Sequence, residues 1–130
     1  MDPDHFHKQL DQHRLTEALR DAEQATAGKI FVYVSHRHVE DPMPAAQERF
    51  ARLGLHMHEH RASVLIYIVP KTHKFTILGD KAIHEKCGED YWKRLADQLS
   101  TDLKKGDLTA ALLNAITSLK ATMAEHFPHS

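Results

Sequence analysis

The sequence predicts a single-domain α/β sandwich, a small mixed sheet of three or more strands flanked by helices in the order α-β-α-β-β-α-α. Three observations carry this reading. KIFVYVSH and VLIYIVP are continuous apolar stretches of the kind buried on both faces, and the helical pattern between them implies a right-handed parallel crossover. The short link KTH then leads from the second stretch into KFTILGD, which suits an antiparallel hairpin. From residue 90 onward, apolar residues recur at spacings of three and four, supplying helices to cover the sheet. With 130 residues, the chain has room for one core, burying roughly two-thirds of its unfolded surface, and one domain over residues 1–130 is expected.

Residues 4 to 26 place Phe6, Leu10, Leu15, Leu19, Ala22 and Ala25 at helical spacing, and Gly28 is expected to stop that helix. In the first strand, Ile30, Val32 and Val34 share one face while Phe31 and Tyr33 share the other. The second helix starts at the prolines of DPMPAAQERFARLG, carries Ala46, Phe50 and Leu53 on one stripe, and ends at Gly54. Strands two and three form the hairpin. Trp92, Leu95, Ala96, Leu99 and Leu103 make the next helical stripe, which Gly106 breaks. Asp107 can cap a last helix whose stripe is Leu108, Leu112, Ala115, Ile116, Leu119, Met123 and Phe127.

Composition excludes several classes of function. With 42% apolar residues, 27% charged residues and a formal charge of -1, neither disorder nor a broad nucleic-acid surface is indicated. The longest apolar run, residues 64–69, is far short of the roughly 20 residues that span a bilayer, so a soluble, not membrane-spanning, protein is expected. MDPDHFHKQL has neither the basic nor the apolar region of a secretory signal, which makes the cytoplasm the expected location. The single cysteine, Cys87, reads as a small half-buried apolar residue.

Several motifs offer chemistry. LHMHEHRAS spaces His56, His58 and His60 as in a histidine-triad strand, but Glu59 and Arg61 stand at positions that should be apolar. Solvated histidines at a strand entrance are the favoured reading, with a transition-metal site on His56, His58 and His60, together with His36 or His38, as the alternative. His-Glu-x-x-His is absent, and Cys87 is followed by arginine one position too late for a phosphate-cradling loop. Asp2 and Asp4 follow no strand, and the five glycines are not clustered. Polar groups where strands end remain, above all in LGDKAIHEK. There Gly79 would allow a turn, and Asp80, His84 and Glu85 can supply oxygen and nitrogen ligands to a metal. Asp80 can equally cap a short helix beginning at Lys81, and the two roles are compatible.

AEQATAGKIFVYV, ARLGLHMHEHRASVLIYIV, FTILGDKAIHEKCGEDYWKRL, LKKGDLTAALLNAI and the closing HFP, in that order, resemble the TPM domain family over roughly residues 15 to 128. The family includes soluble bacterial proteins as well as thylakoid-lumen and membrane-associated relatives. The resemblance implies an α/β sandwich, binding of calcium or a similar divalent metal, and, from some members, acid phosphatase activity. It implies Asp80 as the leading ligand, His84 and Glu85 as neighbours, and Arg61 as a residue that meets phosphate. Asp80 and Arg61 are thus the catalytic candidates of the phosphatase alternative, while Asp107 matches a Gly-Asp where capping is the plain explanation. An accessory or interaction role toward a protein partner, membrane-associated in some relatives, also follows. Ala62-Ser63 replaces the family's Asn-Gly, Lys29 its glutamate, and Ala82 a glycine.

Twelve histidines are the compositional outlier. With unperturbed pKa values of about 6.5, they would carry the formal charge from -1 towards +11 on mild acidification. Electrophoretic mobility should therefore reverse sign between neutral and mildly acidic pH; a flat profile would show that most of these histidines do not titrate in that interval.

Overall fold

The computed structural model of the chain describes residues 10–53 and 62–128. In chain order its elements are helix α1 (Gln12–Ala25), strand β1 (Lys29–Val34), helix α2 (Pro42–Arg52), strand β2 (Ser63–Val69) and strand β3 (Lys74–Gly79). Three helices follow: α3 (Lys81–Cys87), α4 (Glu89–Lys104) and α5 (Leu108–His126). The sheet order is β1-β2-β3, with β1 parallel and β3 antiparallel to β2. The expected order of elements is therefore found, with α3 as a separate short helix ahead of the last two. Gly88 divides α3 from α4 at φ 82°, backbone that continues no helix.

All seven residues of β2 are buried. Val64, Ile66 and Ile68 face a core shared with Ile30 of β1 and with Leu15, Leu95, Leu99, Leu112, Ile116 and Leu119 from α1, α4 and α5. Leu65, Tyr67 and Val69 face a smaller core closed by Ala46 of α2, with Phe31, Tyr33 and Phe50 packed around it. The alternation expected for β1 is present, since Val32 and Val34 join the first core. β1 nevertheless has a half-buried pattern beyond Ile30, as its position at the sheet edge requires.

Helix α5 lies against both α1 and α4. Its predicted stripe is buried from Leu108 to Met123, and Asp107 caps it by accepting from the Ala110 amide at 3.0 Å. The ends of α1 are tied to matching ends of α5, so the two helices run in the same direction. Thr109 Oγ1 accepts from the Asp11 amide at 2.8 Å, and Thr26 Oγ1 donates to the carbonyls of Met123 and Phe127 at 3.1 and 2.6 Å. Buried Asp102 joins α4 to α5 by accepting from Gln98 and from Asn114 at 3.1 and 3.2 Å.

Gly28 does not act as a helix stop. α1 ends at Thr26 in extended backbone, and Gly28 does not have positive φ. The glycine is required by close approach, because a Cβ there would overlap the Ala62 carbonyl oxygen and the Met123 methyl group. Gly54 and the residues before Leu10 lie outside the described residues. The KTH link is a 3-10 turn at Pro70–Thr72, followed by His73 at φ 55°.

Gly28→Ala should destabilise the fold by about 1–3 kcal/mol through overpacking where β1, β2 and α5 meet. Urea denaturation is the measurement, and an unchanged midpoint would show that Met123 and the Ala62 backbone yield without cost.

Candidate functional site

The Asp80 turn joins the end of β3, the start of β2 and the first turn of α3. Asp80 is only 4% exposed. One carboxylate oxygen accepts from the Ile83 amide at 3.3 Å and caps α3; the other accepts from the Ser63 amide at 3.1 Å. The Asp80 amide donates back to the Ser63 carbonyl at 2.9 Å, so the two residues clamp each other across the sheet. The capping role expected from sequence is present, and an additional bond to β2 accompanies it. Ser63 Oγ is buried beside this clamp with no hydrogen-bond partner among the described residues.

Gly79 makes room for the site without adopting left-handed backbone. A Cβ at Gly79 would lie 3.0 Å from Ile83 and 3.1 Å from the Trp92 ring, so its absence lets α3 and α4 close over the turn. Trp92 stacks on His84 with ring centroids 5.9 Å apart and donates from Nε1 to the His84 carbonyl at 3.3 Å. His84 and Glu85 are both exposed on α3, whereas Asp80 is buried. Among the described residues, no three histidine, cysteine, aspartate or glutamate side chains gather as a metal-binding group. Arg61, His56, His58 and His60 lie outside the described residues. His38 is described and pairs with Glu40, holding that exposed carboxyl below its ordinary pKa chiefly through their hydrogen bond.

Cys87 is a half-buried free thiol, and burial raises its pKa, which disfavours the nucleophilic thiolate. Sequence named Ser63 only in Ala62-Ser63, which stands in place of the family's Asn-Gly, and assigned it no role. A further signal was its position as the first residue of an apolar strand, which leaves a polar side chain no solvent.

The TPM domain profile matches residues 1–122 of this chain. The chain belongs to the TPM domain family. This TPM domain is also similar to a solved structure, the NMR structure of the BA42 protein from the psychrophilic bacterium Bizionia argentinensis, at a TM-score of 0.84 and 27% identity. That likeness covers 93% of this chain and 86% of BA42. No curated protein matches the chain. Among the described residues of this TPM domain, no helix is long and apolar enough to cross a membrane.

Asp80→Ala should cost about 2–4 kcal/mol, combining loss of a cap with a buried Ser63 amide left without its acceptor. Asp107→Ala removes an exposed cap alone and should cost about 1 kcal/mol. Chemical denaturation of the two variants side by side checks this; equal losses would mean that the bond to Ser63 adds nothing.

Proposed function

We propose that this TPM domain is a binding module whose Asp80 turn takes a hard, oxygen-preferring divalent cation, calcium or a similar ion, in an accessory role toward a protein partner. The observation that supports it is the buried pairing of Asp80 with Ser63, whose hydroxyl has no hydrogen-bond partner among the described residues. A carboxylate and a hydroxyl are oxygen donors, which fits calcium, magnesium or manganese better than zinc or nickel. Both carboxylate oxygens already accept backbone hydrogen bonds, which fixes their direction at the turn. With one carboxylate in the set and water completing the coordination, affinity belongs in the weak range, with Kd about 10⁻⁴–10⁻³ M. His84 and Glu85 are exposed and contribute at most through water.

Thermal unfolding of metal-stripped protein tests the reading, because a ligand selective for the folded state raises its melting point by mass action. Millimolar calcium, magnesium or manganese should raise Tm by roughly a few degrees. Asp80→Asn, which keeps an acceptor oxygen, should remove that rise. Stabilisation by zinc or nickel alone would transfer the site to the histidines His56, His58 and His60. Aryl phosphate turnover that is lost both on chelation and in Asp80→Asn would extend the role to a metal-assisted phosphatase using Arg61.

A further inference from the structure

At the opposite end of β2, a cleft of about 180 Å³ opens between the carboxyl ends of β1 and β2 and helix α2. Ligands of α/β sheets gather where parallel strands end. Three arginines line this cleft: Arg37 just beyond β1, and Arg49 and Arg52 one turn apart on α2.

Arg49 is held in place from the sheet side. Its guanidinium lies 4.0 Å from the centre of the Tyr33 ring, and Nη2 donates to the Tyr33 hydroxyl at 2.9 Å. Tyr33 in turn stacks on buried Tyr67 with ring centroids 5.2 Å apart. A solvated surface arginine has no such anchoring; this one presents a fixed fork whose remaining N–H donors have no other hydrogen-bond acceptor among the described residues. The backbone at Arg37 is tied to Ser35, itself 2% exposed, whose Oγ accepts from the Arg37 amide at 3.3 Å. Glu48 pairs with Arg52 at 2.7 Å. Three guanidinium groups against that one carboxylate leave the cleft with two net positive charges.

We infer that this cleft is a binding site for a compact tetrahedral dianion, phosphate or sulfate, gripped by Arg49 with Arg37 and Arg52 supplying further charge. The volume decides the size class, lying below the roughly 300 Å³ at which pockets for drug-sized molecules begin. The charge decides the valence, and planar N–H forks suit paired oxygens. Among the described residues the cleft carries no cysteine or histidine, and its one carboxylate is committed to Arg52, so binding alone is inferred. This inference is independent of the Asp80 reading, since it uses none of the same residues.

The test is an amide NMR titration of the full chain with inorganic phosphate, sulfate and succinate, each at the same ionic strength. Phosphate and sulfate should give saturable shifts centred on Ser35, Arg37 and Tyr67. Arg49→Lys, which keeps the charge and loses the fork, should weaken binding about tenfold. Arg37→Ala, at an exposed position with little effect expected on folding, should weaken it several-fold, and Arg94→Ala on α4 should leave it unchanged. Non-saturable shifts, equal weakening by Arg94→Ala and Arg37→Ala, or tighter binding of succinate than of phosphate would each overturn the inference.

Discussion

The burial of β2 on both faces is the constraint on which the rest of the structure depends. Side chains alternate along a strand, so a one-residue slip would exchange Val64, Ile66 and Ile68 with Leu65, Tyr67 and Val69. The two cores are unlike. One is a broad surface formed by α1, α4 and α5, while the other is roofed by α2, which comes close because fully buried Ala46 presents only a methyl group. Tyr67 fits the second core because its ring stacks on Tyr33. Register is therefore fixed by shape as well as by hydrophobicity.

Both ends of β2 also carry devices that hold the register. At its start, Asp80 and Ser63 exchange hydrogen bonds, so β3 ends where β2 begins. At its finish, Pro70 starts a 3-10 turn and His73 adopts left-handed backbone, which reverses the chain in few residues. Polar chemistry collects at these ends because the strand interior, covered on both faces, offers none. The Asp80 carboxylate is thus structural before it is anything else, and its burial follows from bonding two backbone amides that would otherwise lack acceptors.

Most of the fold was legible in the sequence because strand alternation and helical stripes are local consequences of burial. The Asp80 and Asp107 caps were legible for the same reason, each standing one residue ahead of an apolar helical pattern. The glycines were harder. Gly28 and Gly79 suggest backbone freedom, yet each serves close approach to a residue distant in sequence, Met123 for one and Trp92 for the other. No local pattern reveals such a partner. The arginine cleft was hidden similarly: no local pattern marks Arg49 and Arg52, and only the parallel pairing of Tyr33 with Tyr67 places an aromatic stack beneath Arg49.

The Asp80 turn and the arginine cleft are kept apart by the strand that connects them. Seven residues of β2 at about 3.3 Å each separate its ends by roughly 20 Å. That is about twice the screening length of 8–10 Å at ordinary ionic strength. Charge at one end therefore has little effect at the other across solvent, and no ionisable side chain of β2 other than Tyr67 lies between them. A central strand buried on both faces thus does more than hold the sheet: it sets the Asp80 turn and the arginine cleft about two screening lengths apart.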